Sequence, residues 1–497
     1  SHAARAGHAD MMIGRHRIDG DLMLRFVAEG ATKGSALVMA FLLARWLAAE
    51  GFGGYSQTQA LVAVLVPLVL LGLGFALIRQ IAGAATTADI VAPVATAFVI
   101  ASAVSLVVAA AMWAAANSIA AHFTDHPAAT SLVRAAAILL PIAVWQSLLF
   151  EALRARHRVK SATVLQIAES GLSLLAIIAL ALSENLTPVT AIAAIAALKL
   201  VFFVLAGVDL ALSEHIRPSQ LALLPLPGIR AALALGIPFM IAGLGEALMG
   251  LVDRVLVGSL AGADTVGRYV AAQTLIAILA SWGAPYWWLL YPRMARAIAT
   301  DSSAHALSAV HRLFGNFIAW ATPLAVLLAI LGAQILTVAL GETFRISPTT
   351  MSVLVLAVFV NQSATPWEYY LYVTGKAVFL MWTSLAWGII AVAGIVILLP
   401  VLGLLGAAIS VATARLGFAL SLVFKAGQNG LGAQLLPPEV TQRAVIALAV
   451  GIGVIAGMHL GWGSATLAPW HVAGTFLAAY VVTSGITAWF QARWRTA

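Results

Sequence analysis

Charged side chains inside long apolar stretches are the residues of this chain most able to do chemistry. An ion at mid-bilayer depth costs at least about 2.5–3.5 kcal/mol, so it must face protein or water rather than lipid. In the first such stretch Arg25, Glu29 and Lys33 recur at i, i+4 and i+8, along one helix face, with Glu29 able to pair with either neighbour. Glu246 and Asp253 lie seven residues apart in a later stretch, roughly on one face, with Arg254 one position round. Arg134, Lys199, Arg415, Glu169 and Glu368 each occupy a further apolar stretch. The basic set Lys33, Arg134, Lys199, Arg415 and Arg25 suits a phosphorylated anion, because Arg offers a planar two-pronged fork and Lys a compact charge. Glu29, Glu169, Glu246, Asp253, Arg254 and Glu368 are candidates for ion coupling or for a gate, since a carboxyl shielded from water can take up and release a proton. For each charge the alternative is a structural salt bridge, and for Arg25 a side chain reaching to the headgroups.

The elements that position these residues follow from composition. Of 497 residues 62% are hydrophobic and only 9% charged, with a mean hydropathy of +0.99, which no soluble globular domain matches. At about 20 residues per crossing the apolar content supplies roughly fifteen spans, and the expected class is an all-α polytopic membrane protein. Residues 1–10 lack an initiator Met and read as a cloning scar before Met11 or Met12. Apolar stretches near 22–47, 55–78, 91–115, 129–150, 162–182 and 188–212 form a first set, and those near 231–258, 267–290, 313–340, 349–373, 377–399 and 404–427 a second. A further pair lies near 443–461 and 470–490, so the expected total is about 14 transmembrane helices. The expected organisation is an N-terminal segment 1–21, an N-lobe 22–213, a proline-bearing linker 214–230, a C-lobe 231–428, and a final helix pair with a short tail over 429–497.

Basic residues test the count. Arg154, Arg156, Arg158, Lys160, Arg217, Arg230, Arg293, Arg296, Arg312, Lys376, Arg443, Arg493 and Arg495 all fall on one side of a fourteen-span topology. By the positive-inside rule that side is the cytoplasm, and both termini lie there. The formal net charge of +8 is thus used for orientation and headgroup contact, which removes the case for nucleic acid. With no cysteine, disulfide frameworks, thiolate metal sites and cysteine nucleophiles are excluded. No P-loop, HExxH pair or histidine cluster is present, and no connection is long enough for a catalytic domain. The chain reads as a transporter without a metal or other cofactor, driven by a proton or sodium gradient or by consumption of its product.

A repeat is visible at an offset of 214. Residues 50–61 superpose on 264–275 with Gly53/Gly267, Tyr55/Tyr269, Gln59/Gln273 and Leu61/Leu275 identical and Glu50 against Asp264. Six spans separate the copies, so the halves share an orientation and the relating axis runs along the membrane normal. Tyr286, Trp287, Trp288, Trp367, Tyr369 and Tyr370 could stack on sugars or belong to an interfacial belt. Pro238, Pro285, Pro323 and Pro366, with Gly236 and Gly283, place kinks inside spans.

Residues 44–56, Ala-Arg-Trp-Leu-Ala-Ala-Glu-Gly-Phe-Gly-Gly-Tyr-Ser, resemble the opening signature of the polysaccharide transporter (Wzx-type) branch of the MOP flippase superfamily. Residues 335–344, 373–376 and 398–409 resemble, in order, the family's step before span ten, its turn before span eleven and its Gly-x-x-Gly-Ala-Ala turn before span twelve. The resemblance implies two six-helix lobes in an inverted V around a basic cavity that opens alternately to each side. It implies as cargo an undecaprenyl-diphosphate-linked oligosaccharide, turned to the periplasmic leaflet of the bacterial inner membrane for O-antigen, capsule or exopolysaccharide assembly. The implied partners are that glycan, membrane lipids and the polymerase or export machinery. The two extra helices are similar to those of the lipid II flippase branch, although the arginine-rich, proline-bearing second span expected there is absent over 62–79. Lipid II flipping and MATE-like drug export are the alternatives, the latter requiring a cavity dominated by acids and aromatics.

Overall fold

The computed structural model describes residues 2–81, 86–123, 125–156, 158–216, 229–299 and 303–428, with backbone alone over 2–29. The expected helices near 443–461 and 470–490 lie outside these residues. Among the described residues there are fourteen α-helices, one 3-10 turn and no strand. The first half comprises α1 (His2–Leu70), α2 (Leu73–Ile81), α3 (Thr87–Ala114), α4 (Ala116–Phe123), α5 (Ala129–Ala155), α6 (Val159–Leu182) and α7 (Pro188–Ser213). The second comprises α8 (Ile229–Gly250), α9 (Val252–Ala261), α10 (Ala263–Ala299), α11 (Ser303–Leu340), α12 (Pro348–Val373), α13 (Ala377–Leu402) and α14 (Leu404–Gln428). Eight stretches among the described residues are long and apolar enough to cross a membrane, with Gly30–Leu70 counted as one. The chain is a multi-pass, all-helical membrane protein.

The helix starts follow local sequence. Thr86 and Asp89 form a capping box at α3, Thr187 caps α7 with Pro188 at its first position, and Ser347 caps α12 before Pro348. Breaks differ from a reading of glycine as loop. The Gly-rich stretch 51–54 is helical and buried, and the chain turns instead at Ala48 (φ 56°, ψ −178°), which divides α1 into arms 2–47 and 49–70. Gly262, at the repeat-related position between α9 and α10, has φ 90° and ψ 164°. The two halves therefore break at equivalent residues in similar conformations. The predicted span 55–78 is interrupted at Leu71 and Gly72, both at positive φ, and the predicted span 231–258 is interrupted at Leu251.

The glycines make a crossing. A Cβ on Gly53 would overlap the Ala263 carbonyl oxygen, and a Cβ on Gly267 would overlap the Ala49 carbonyl oxygen. Ala49 and Ala263 are themselves related by the offset of 214. Each copy of the repeat thus lays its glycine on the other copy's backbone, as a two-fold relation requires. Glycine within a helix costs about 1 kcal/mol relative to alanine; here it is offset by backbone contact that no larger residue permits.

Contacts sort the chain into two compact units, the first Ser1–Trp46, Val69–Ala116 and Val133–Ile237, the second Leu47–Leu68, Asn117–Leu132 and Pro238–Ala497. The units are not the sequence halves, because the glycine crossing ties 47–68 to α9 and α10. In the first unit Leu77, Ile81, Phe150, Leu153 and Leu210 share a core, and Phe98, Trp145 and Phe203 stack. In the second, α14 packs on α12 and α13.

Ala48 sits in a backbone region that is essentially reserved for glycine and costs a side-chain-bearing residue about 1–3 kcal/mol. Ala48→Gly is therefore expected to raise the thermal unfolding midpoint. Gly53→Ala and Gly267→Ala are expected to lower it, each through a loss of about 1–3 kcal/mol of stability. Thermal unfolding of the three variants in detergent checks both signs.

Candidate functional site

In the first unit, three helices contribute one closed polar set. Lys199 Nζ on α7 donates to Glu169 Oε1 on α6 at 2.9 Å and to Gln146 Oε1 on α5 at 3.0 Å, and Gln146 Nε2 donates to Glu169 Oε2 at 2.7 Å. The side chains of Lys199 and Glu169 are 28% and 14% exposed. The cation and the acid are thus neutralised by each other, and Gln146 fixes both. Ser170, next to Glu169, donates to the Thr32 carbonyl at 3.3 Å, so α1 passes beside this set at the level of Lys33, whose side chain is exposed. The side chains of Arg25 and Glu29 lie outside the described residues. Arg134 is brought into none of this: it is exposed, with its guanidinium 5.4 Å from the centre of the Trp113 ring, a cation–π contact.

The second unit holds two sets. Asp253, 1% exposed, lies in the first turn of α9, where helix N–H groups favour an anion. Its carboxylate accepts from the Arg254 backbone N–H at 2.8 Å, from Tyr269 Oη at 2.9 Å and from Gln273 Nε2 at 2.6 Å. The Arg254 side chain reaches past it, its Nε donating to Gln273 Oε1 at 2.8 Å. The pairing that adjacency suggests is replaced by a network closed through Gln273. In the other half the repeat-related Tyr55 and Gln59 keep their mutual bond at 3.2 Å, with Met39 at the position of Asp253.

The other set joins Arg415, Asn361, Glu368 and Glu246. Arg415 Nη1 donates to Asn361 Oδ1 at 2.9 Å, and Glu368 lies within electrostatic range of both Glu246 and Arg415. Gly250, last residue of α8, makes room: a Cβ there would stand 2.8 Å from Arg415 Nη2. Glu368 on α12 thus lies between a cation from α14 and an acid from α8, and a guanidinium so placed can exchange a carboxylate counter-ion for a bound anion.

Spacing within a helix places Glu246 and Asp253 in one family of positions, yet their partners differ completely. Gln146, Asp209 and Ser161 were not legible as site residues, because each is defined by what other helices bring to it. Arg158 makes a two-pronged pair with Asp209 at 2.7 and 3.1 Å, joined by Ser161 at 2.7 Å, and Arg156 makes another with Glu214 at 2.7 and 3.1 Å. Two cations of the basic connection between α5 and α6 are therefore fastened to the end of α7. Trp287, Trp367 and Tyr370 are buried, with Trp287 bonded to Gln362 at 2.9 Å and packed on Phe317, so these three are core side chains.

Removing one member of the Lys199 set strands the other. Lys199→Met and Glu169→Gln are each expected to cost about 1–3 kcal/mol, less than for a fully buried pair because Lys199 is partly exposed, with the double variant recovering at least half. Unfolding midpoints of the four proteins of this double-mutant cycle provide the check.

Comparison with known proteins places the chain in a family. The profile of the family described as "polysaccharide biosynthesis protein" matches residues 21–298. Among solved structures, the lipid II flippase MurJ in an inward closed conformation is 10% identical, with a TM-score of 0.73 over 93% of this chain and 98% of that one. An inward-facing multidrug resistance MATE transporter of the MOP superfamily is 13% identical, with a TM-score of 0.63 over 82% of this chain and 95% of that one. The MATE multidrug transporter DinF-BH is 14% identical, with a TM-score of 0.60 over 84% of this chain and 96% of that one. No curated protein matches the sequence. These likenesses establish the fold, and the profile, which spans more than half of the 497 residues, establishes that the chain belongs to the polysaccharide biosynthesis protein family.

Proposed function

We propose that the protein turns an undecaprenyl-diphosphate-linked oligosaccharide from the cytoplasmic to the periplasmic leaflet of the bacterial inner membrane, by alternating access. The observation that carries this reading is the match to a polysaccharide biosynthesis family on a chain whose intramembrane cations are held by exchangeable partners. Arg415 has a hydrogen bond to Asn361 and lies within electrostatic range of Glu368; Lys199 is paired with Glu169 and steadied by Gln146. A diphosphate carries the charge needed to compete for such cations, and the lipid tail can remain in the bilayer. Lys33, Arg134, Lys199, Arg415 and Arg25 are the candidate anion ligands. Glu29, Glu169, Glu246, Asp253, Arg254 and Glu368 are candidates for coupling to a proton or sodium gradient, or for gating. Both termini lie in the cytoplasm, and the polymerase or export machinery takes the product.

A second reading, flipping of lipid II, is favoured by the likeness to the lipid II flippase over 93% of this chain. Both cargoes share the polyprenyl diphosphate and differ in the sugar and peptide beyond it.

Liposomes containing the purified protein and a fluorescent lipid-diphosphate oligosaccharide test the proposal through loss of inner-leaflet signal. Arg415→Ala and Lys199→Ala are expected to slow flipping roughly 10- to 100-fold, the loss of a charge-assisted hydrogen bond, with folding retained. Faster transport of fluorescent lipid II would favour the second reading. Accumulation of a cationic dye against a proton gradient, without lipid flipping, would overturn both.

A further inference from the structure

One stretch of the first half falls in a different compact unit from the helices on either side of it. Asn117–Leu132, which holds most of α4 and the start of α5, groups with Leu47–Leu68 and Pro238–Ala497 in the second unit, while α3 and the rest of α5 belong to the first. A carboxylate fastens it there. Asp125 Oδ1 accepts from the Ala263 backbone N–H at 2.7 Å, and Oδ2 would stand 2.6 Å from a Cβ on Gly262. Ala263 is the first residue of α10, and the N–H groups of a helix's first turn have no partner within the helix. The residue in position to cap them is Gly262, which has no side chain to offer and sits at φ 90°. Asp125 therefore caps α10 from 138 residues away, with its charge at the positive end of the helix dipole.

The same stretch also reaches the second arm of α1. The Phe123 carbonyl accepts from Gln57 Nε2, and Gln57, 0% exposed, donates as well to the Val255 carbonyl on α9 at 3.1 Å. A Cβ on Gly54 would stand 3.3 Å from the His126 ring and 3.0 Å from Leu132. Residues 117–132 thus close over the place where α1, α9 and α10 meet. Two carboxylates hold α10 here, and they differ in what could replace them. Asp253 is buried, and its bonds to Tyr269 and Gln273 lie beyond the reach of water. Asp125 is exposed, so water can take over both its oxygens and the N–H it leaves, and parting costs little. Ala263, directly behind it, is 0% exposed.

We propose that Asp125 is a releasable latch of the periplasmic gate: by capping α10 it holds the protein shut on that side, and it lets go each time that side opens. The inference rests on the alternating-access reading and the topology proposed above, in which the α4–α5 and α9–α10 connections both face the periplasm. Asp125 is then a positioning residue that needs no contact with the cargo.

The chain has no cysteine, so Ala263→Cys places one thiol behind the latch. In lipid nanodiscs its labelling by a membrane-impermeant maleimide is expected to be roughly 2- to 30-fold faster once Asp125→Ala is added, the loss of a helix cap, whereas Asp125→Asn is expected to keep the parent rate because an amide oxygen also caps. Ala152→Cys, 0% exposed in the core of the first unit, reports general loosening, and its labelling is expected to be the same with and without Asp125→Ala. No acceleration at 263, or an equal acceleration at 152, would overturn the latch. In proteoliposomes, Asp125→Cys/Ala263→Cys bridged by a short bis-methanethiosulfonate is expected to stop flipping fluorescent undecaprenyl-diphosphate-linked oligosaccharide and to resume on reduction, and equal rates in the two states would also overturn it. If neither wild type nor the reduced variant flips the lipid, the cargo reading fails, and the labelling rates at 263 and 152 then decide the latch without it.

Discussion

A polar group in the hydrocarbon layer has no water to turn to, and the architecture of this protein is organised around supplying partners from neighbouring helices. Lys199 meets Glu169 and Gln146 from two other helices. Asp253 receives a backbone N–H, a phenol and an amide. Arg415 finds Asn361 and a space left by Gly250. In each case an amide accompanies the charge, and in the Lys199 and Asp253 networks it accepts from a cation while donating to a carboxylate. Such sets hold ionised groups without requiring a direct ion pair at every contact.

The same constraint acts on the backbone. Breaks inside membrane helices expose carbonyls and N–H groups, and here the breaks fall where another helix or a side chain lies close. The turn at Gly262 is followed by the Ala263 N–H, which donates to Asp125 at 2.7 Å, while the Ala263 carbonyl rests on Gly53. Leu71 and Gly72 are covered by Gly236. Gene-scale duplication is thereby visible as physical reciprocity: two glycines, two carbonyls and two turns related by one offset. The chemistry on either side of it is not duplicated. Asp253 and Arg254 occupy one half, while Met39 and Ala40 occupy the related positions in the other, so a shared framework carries two different electrostatic environments.

Much of the fold was legible in the order of residues. Helix identity follows from apolar length, since a stretch such as 188–212 is too long and too apolar for any other element, and Thr187-Pro188 marks its start to the residue. The repeat was legible because Gly53, Tyr55 and Gln59 recur together at one offset. The role of its glycines was not, because glycine serves equally for a turn and for close approach; the neighbour that touches it decides between them. For the same reason Ala48, an ordinary alanine by type, proved to be the turn.

Sequence by itself determined the class, the apolar helical stretches over the described residues, the duplication and the set of charges within those stretches, because each depends on residue type and spacing along one chain. Tertiary structure alone decided which charges meet. Helix rotation and neighbour identity are set by packing across many residues, so Gln146 became the third member of the Lys199 set, the Arg254 side chain turned to Gln273, and Arg134 settled over Trp113.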